Sequence, residues 1–401
     1  MKKSIKSTVC ILLCIVLMLS FAFGSFAVYT NTAEAQRFND DGTFRIMHIT
    51  DTHLGYSNLD ASIYLIASAC DREKPDMIAL TGDIAMSDDK VEMDTCIDRL
   101  MTVFEERNIP VAVSFGNHDI ETKSYPNPSE LMALYNSYEC SISVDEGDIL
   151  TGCGTYNVPV LASDSDEIKF NIWVFDSGSS DGEGHYSNVP ADQVEWYKTV
   201  SADIEQENGK VYSLAFQHII VPEIYDALQK HNTPRAYAFE HIYNKGEYYS
   251  FNPEFENHGV LNEMPCPGYY NHGQFAAMVD RGDVLGIFTG HDHTNAFSVK
   301  YQGINITNSL STRYNGDAFS SQYGYRIIDI NEADTSTYTT RAVHWYDFFT
   351  LGDVFSLSRS GDKYGSGLAF SVLFQGFFQK YADKFATTIV YIFTGRQCAY
   401  N

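Results

Sequence analysis

The sequence predicts an α/β fold, a largely parallel sheet covered by helices and closed in its second half by antiparallel strands. In the first third, short apolar or β-branched runs alternate with segments of helical period, in the order strand, helix, strand, helix, strand. Each of these strands runs into a polar turn built from Gly, Asp, Asn and His. Beyond residue 303, strands follow one another with no helix between them. Folds of this kind gather their sites at the carboxyl ends of the strands, so those turns are where function is expected.

The elements follow in order. Residues 44–50 form a strand that ends in Asp51-Thr-His53, and 59–73 a helix with Ile63, Ile66, Ala67 and Cys70 on one face, stopped by Pro75. Residues 77–80 are too few and too apolar for a helix and read as a buried strand; Gly82 turns the chain and leaves Asp83 at the exit. A helix over 91–107 is punctuated by Asn108 and Pro110, and strand 111–115 ends in Gly116-Asn-His-Asp119. Residues 125–165 read as an irregular flap closed by a Cys140–Cys153 pair. Strand 169–175 ends in Asp176, a Gly- and Ser-rich loop carries His185, and helix 191–208 leads to strand 211–216, which ends in Gln217-His218. Residues 222–273 show no regular pattern and read as a substrate-shaping insertion. Helix 274–280 precedes strand 284–289 and Gly290-His-Asp-His293; strands 303–307, 325–330 and 337–345 close the fold. In the last stretch, Phe370, Phe374, Phe377, Tyr381 and Phe385 share one face of a packing helix, and Gln375, Lys380, Asp383 and Lys384 interrupt it too often for a membrane span.

The 401 residues carry a formal net charge of −25, which excludes nucleic acid and anionic membrane surfaces as electrostatically steered partners. A phosphorylated substrate would meet the same repulsion, so a phosphate site here needs local positive charge, and metal ions supply it. The N-terminus has the anatomy of a signal peptide, residues 1–35, with a basic start at Lys2, Lys3 and Lys6, an apolar run over 9–28, and Ala33-Glu-Ala35 as cleavage motif. Cleavage makes a secreted or cell-surface protein; retention of the long apolar run makes a membrane anchor instead, the one route by which a membrane enters. Among 8 cysteines no C-x-x-C spacing occurs, so no thiolate zinc site is read, and Cys70 and Cys96 read as buried free thiols.

Collected, the strand ends offer Asp51, His53, Asp83, Asn117, His118, His218, His291 and His293. Each alone has an ordinary explanation, since Asp caps helices, Asn suits turns and a lone His is usually a core residue. The recurrence of one vocabulary at five strand ends is what those explanations leave out. Imidazole, carboxylate and amide oxygen without thiolate suit divalent Mn, Fe, Zn or Ni. The donors exceed one coordination sphere, so two divalent metal ions are expected, with a bridging carboxylate between them and a bridging hydroxide as nucleophile.

These residues resemble the calcineurin-like metallophosphoesterases, whose blocks D-x-H, G-D, G-N-H-[DE], a lone His and G-H-x-H appear here in order as Asp51-Thr-His53, Gly82-Asp83, Gly116-Asn-His-Asp119, His218 and Gly290-His-Asp-His293. The flanks around His218 and the last block are most similar to a purple-acid-phosphatase-like branch of plants and fungi. The resemblance implies a four-layer α/β/β/α sandwich of two mixed sheets, with a catalytic domain over 36–346 and residues 347–401 as an extension of unassigned role. It implies Asp51, His53 and His293 on the first metal, Asn117, His218 and His291 on the second, and Asp83 bridging. His118 would protonate the leaving oxygen and Asp119 would orient it; His185 and Arg313 are weaker candidates for substrate contact. Purple enzymes carry a metal-binding Tyr three residues after the bridging Asp. Here that position is Met86 and His53 supplies the missing donor, so a colourless enzyme is expected. The implied activity is hydrolysis of a phosphorylated small molecule or protein, a monoester first, with a phosphodiesterase or nucleotide pyrophosphohydrolase as the alternative within enzymes and a non-catalytic metal-binding homologue outside them.

Overall fold

Along strand Thr43–Ile49 and its parallel neighbour Met77–Thr81, successive side chains enter two different cores. Ile46, Met77 and Ala79 face one way, while Met47, Ile49, Ile78 and Leu80 face the other, as the two-residue period of a strand buried on both sides requires. The outward set packs against helices Leu59–Glu73 and Lys90–Glu105 through Leu65, Ile66, Ile97 and Leu100. The inward set meets Val158, Phe170, Ile172, Leu214, Phe216 and Phe288 of a second sheet. That sheet's far face carries Trp173, Ala215 and Ile287 against Trp196, Tyr197, Phe275 and Met278 of helices Ala191–Asn208 and Gln274–Arg281. The layers are therefore helix, sheet, sheet, helix. The computed structural model describes residues 31–314 and 322–394, with side chains to residue 378 in the last helix. Residues 1–30 of the expected signal peptide with Cys10 and Cys14, Cys398, and the side chains of Tyr381 and Phe385 lie outside the described residues.

Both sheets are mixed, as the family resemblance implied, whereas the strand and helix alternation alone reads as one largely parallel sheet. In the first, of five strands, Thr43–Ile49, Met77–Thr81 and Val111–Ser114 run parallel, while Gly324–Asn331 and Asp334–His344 add antiparallel edges. In the second, of eight strands, Ile168–Val174, Tyr212–Phe216, Val284–Thr289 and Ile304–Asn308 form the parallel centre. The strand Ala296–Tyr301 was not expected; it pairs antiparallel with Ile304–Asn308 through a tight turn at Gln302 and Gly303, both at positive φ.

Four further expectations change. Residues 125–165 hold a helix, Pro128–Tyr135, and a strand, Tyr156–Leu161. Cys140 and Cys153 are free buried thiols, because Cys140 packs on the Met101 carbonyl under helix Lys90–Glu105 while Asp176 draws the Cys153 amide elsewhere at 2.8 Å. The unparsed stretch 222–273 contains a separate three-stranded sheet of Leu228–His231, Phe239–Glu240 and Tyr248–Phe251. In the last helix, Lys363–Thr394, the packing face is Leu368, Ala369 and Val372, and Phe370, Phe374 and Phe377 point to solvent. Cys70 and Cys96 are buried and free, as expected.

Candidate metal centre

The turns that follow Thr43–Ile49, Met77–Thr81 and Val111–Ser114 in one sheet, and Tyr212–Phe216 and Val284–Thr289 in the other, open at one end of the sandwich. Their backbones are forced. Asp51, His53, Asp83 and His291 sit at φ of 51°, 42°, 54° and 74°, a region that non-glycine residues visit rarely and that clusters at functional sites. Two glycines allow the close approach. A Cβ on Gly116 would strike the Asp83 carboxylate, and one on Gly290 would strike Thr50 and the Asp51 carboxylate.

The side chains so placed converge. Donor atoms of Asp51, His53, Asp83 and His293 all lie within 4.8 Å of one another, as do those of Asp83, His218 and His291. Asp83 is the residue common to both groups. Its Oδ2 stands 3.6 Å from His53 Nε2 and 3.3 Å from His218 Nε2, and Asp51 Oδ1 stands 3.4 Å from His293 Nε2. His53 and His293 turn their Nε2 atoms toward each other at 3.0 Å. The Thr81 carbonyl takes the proton on His218 Nδ1 at 2.8 Å, which fixes the tautomer and leaves Nε2 to face the carboxylates. Asn117 is buried beside them on the short helical turn Asn117–Ile120.

Charge inside this cluster is balanced by protons in the metal-free protein. Burial favours the neutral form of Asp51 and Asp83, but the His218 charge and the other imidazoles close by outweigh it, holding Asp51 well below the carboxylate range and Asp83 down to about 2. Burial likewise opposes a charge on His218 and His293, and the two carboxylates overcome it, raising them to about 10 and about 9. Burial wins at His291, lowered to about 3, and also lowers His53. Two imidazoles thus carry protons and two do not. Filling the site with divalent cations is expected to release about two protons per chain near neutral pH and to tighten as pH rises. Titration of the chelated protein with Mn²⁺ or Zn²⁺ in weak buffer with a pH indicator measures this, and uptake without proton release contradicts it.

The other candidates divide. His118 stands at the rim, its ring 5.5 Å from that of His53 and 38% of its side chain exposed. Asp119 corrects its expected role. Its carboxylate accepts from the amides of Asp83 at 2.7 Å, Ile84 at 3.0 Å and Gly116 at 2.8 Å, so it braces the Asp83 turn rather than the His118 ring. His185 is held outside the cluster, bonded to Asp181 at 2.7 Å and stacked on Tyr269 at 4.2 Å. Arg313 lies close enough for its charge to oppose protonation of His293. His48 is a core residue, held between Ser309 and Thr81 at 2.8 and 2.6 Å. Sequence reading missed Tyr186, whose ring packs edge-on against His291 at 4.3 Å, because nothing distinguishes it from the other 26 tyrosines.

The donors fit a pair of divalent cations. His53 Nδ1, Asp83 Oδ2, Asn117 Oδ1, His218 Nε2 and His291 Nε2 are buried and meet no partner in hydrogen-bonding geometry, although buried polar atoms are almost always paired. The set is oxygen and imidazole nitrogen without sulfur, the chemistry of Mn, Fe or Zn rather than of a structural zinc.

The calcineurin-like phosphoesterase family profile matches residues 44–295. The chain is 28% identical over 320 residues to the Arabidopsis thaliana protein named probable inactive purple acid phosphatase 14, covering 70% of this chain and 73% of that one. It is 24% identical over 292 residues to the Saccharomyces cerevisiae phosphatase DCR2, covering 66% of this chain and 47% of that protein. Among solved structures, a dimetal phosphatase from Danio rerio aligns over 74% of this chain and 98% of its own length, with 13% identity and a TM-score of 0.46. The layered fold, the shared carboxylate and the family match over most of the layered core identify one lineage, and this chain belongs to the calcineurin-like phosphoesterase family.

Proposed function

We propose that this chain is an exported hydrolase of phosphate monoesters that works with two divalent cations. The observation that carries the reading is the convergence of two groups of donor atoms that share Asp83, with Asp83 Oδ2, His218 Nε2 and His291 Nε2 buried and unpartnered among them. In this reading Asp51, His53 and His293 hold one cation, Asn117, His218 and His291 the other, and Asp83 both. Cations bound there would neutralise charge on the phosphoryl oxygens and make water acidic enough to attack at neutral pH. The protein does the rest. Asp119 holds the Asp83 turn by three amide bonds, and the Thr81 carbonyl aims His218. His118, at the rim and free of the cluster, donates the proton that the leaving oxygen needs as its bond to phosphorus breaks. Arg313 adds positive charge beside His293, the side from which a phosphate would be drawn.

A second reading has support in a name, since the Arabidopsis relatives are called probable inactive phosphatases. Against it stands the complete donor set of this chain, together with His118. Diester hydrolysis needs the same centre and differs only in the pocket. A screen of nitrophenyl phosphate, alkyl monoesters, bis-nitrophenyl phosphate and nucleoside di- and triphosphates, on protein with metals quantified, tests all three. Turnover fastest on monoesters is expected, diester preference overturns the substrate assignment, and two bound metals without turnover on any ester favour the inactive reading.

Export is the remaining part of the proposal. Thr32 and Ala33, where the cleavage motif begins, pair with Asn157 at the edge of the larger sheet. N-terminal sequencing of protein recovered outside the cell is expected to begin at Gln36, and a start upstream of Asn31 would show that this edge pairing is kept.

A further inference from the structure

We propose that Glu121 is the positioning residue for His118, a role that sequence reading gave to Asp119. The inference rests on His118 being the proton donor of the proposed reaction, and adds the group that sets its ring.

The first argument is availability. Asp119 is fully buried and its two carboxylate oxygens already receive three backbone amides, from Asp83, Ile84 and Gly116. Turning it toward the imidazole would strip three donors from the turn that carries Asp83. Glu121 has no such commitment. It closes the one-turn helix Asn117–Ile120, three residues after His118, the spacing at which side chains on a helical turn meet.

The second argument is geometry. His118 Nδ1 lies 3.5 Å from Glu121 Oε2, just beyond a formed hydrogen bond, as catalytic contacts often are before substrate arrives. Their side chains are 38% and 41% exposed, so both reach solvent at the rim of the cluster. With Nδ1 turned to Glu121, the opposite ring nitrogen, Nε2, is the one left for the reaction. The His118 amide is separately bonded to Asp83 Oδ1 at 2.8 Å, which fixes the backbone but leaves the ring to rotate. Glu121 is the carboxylate that limits that rotation.

The third argument concerns the step itself. As the bond from phosphorus to the leaving oxygen breaks, its electron pair goes to that oxygen, which takes the proton from His118 Nε2. The ring keeps its Nδ1–H, which Glu121 accepts. The need for this proton grows with the basicity of the leaving alcohol and nearly vanishes for nitrophenolate.

The test compares Glu121→Ala, Glu121→Gln and His118→Ala with wild type on aryl and alkyl phosphates of rising leaving-group basicity, with bound metals quantified. Glu121→Ala is expected to keep its metals, to hydrolyse nitrophenyl phosphate within about 3-fold of wild type, and to lose roughly 10-fold or more on alkyl phosphates. Glu121→Gln, which keeps an accepting oxygen, should recover most of that loss. Nitrogen NMR of the His118 ring supplies a readout apart from turnover, with the Nδ1 proton bonded in wild type and released to solvent in Glu121→Ala. Equal loss on all esters, no loss at all, or an unchanged Nδ1 signal overturns the role of Glu121 while His118→Ala still discriminates among leaving groups. If His118→Ala fails to discriminate, the proton-donor reading falls, and the Glu121 proposal with it.

Discussion

Asp83→Ala is expected to abolish phosphoester hydrolysis and to leave the protein unable to hold two cations. Asp83 is the residue common to both donor groups, with Oδ2 3.3 Å from His218 and 3.6 Å from His53. Each other proposed donor serves one group. Removing a single-group donor weakens one cation, whereas removing Asp83 loosens both and deletes the charge that keeps them adjacent. A two-metal centre of the proposed kind would supply several kcal/mol of transition-state stabilisation, so the loss in kcat/KM should reach at least about three powers of ten. The variant also changes the metal-free protein. His218, raised to about 10 largely by Asp83 and Asp51, would lose its nearest counter-charge and become neutral at lower pH. Fewer protons would then be released on metal uptake than in wild type. Asp83→Asn keeps the shape and the acceptor for the His118 amide, and serves should the alanine variant not fold. Near-wild-type hydrolysis of nitrophenyl phosphate by either folded variant with two metals bound would overturn the shared role of Asp83, and the same activity with fewer than two metals bound would sink the two-metal reading.

The parts of this centre that sequence made legible are those fixed by local chemistry. A strand needs only four or five apolar residues, and a turn that must reach positive φ calls for Gly, Asp, Asn or His. Gly82-Asp83 and Gly290-His291 therefore declare both backbone and donor in two letters, while Gly116 before Asn117 marks a close approach to Asp83. The same locality explains the near agreement at helices, where 59–73 was read from periodicity and Leu59–Glu73 is found. What depended on distant partners was not legible. Nothing in Asp119 tells whether its carboxylate turns to three amides or to the ring of the residue before it. That choice is made by the packing of Gly116 against Asp83. Cys140 and Cys153 looked like a bridge by their nearness in sequence, but the thiol of one turns to the Met101 carbonyl and the amide of the other is taken by Asp176. The aromatic face of the last helix misled for a related reason. Periodicity shows which residues share a face, while the partner surface decides which face is covered, and here the smaller Leu368, Ala369 and Val372 fit it.

His118→Ala is the complementary experiment, because it separates proton delivery from metal binding. His118 belongs to neither donor group, although Asn117 beside it supplies one of the orphaned oxygens. The variant should therefore retain both cations and its thermal midpoint, while the buried cluster keeps the proton-release behaviour of wild type. Its ring is over a third exposed, so truncation removes little packing and a stability change within about 0.5 kcal/mol is expected. Activity should fall unevenly. General acid catalysis contributes about 10²–10⁴-fold when the leaving oxygen needs a proton, and far less when it leaves as a stable anion. Alkyl phosphates should thus lose about a hundredfold or more, and nitrophenyl phosphate much less. An even loss across the series would assign His118 to charge stabilisation on the phosphoryl group instead, since that term acts on every ester alike. The two variants together partition the site. Asp83 governs whether the cations are there, and His118 governs what happens to the leaving group once they are.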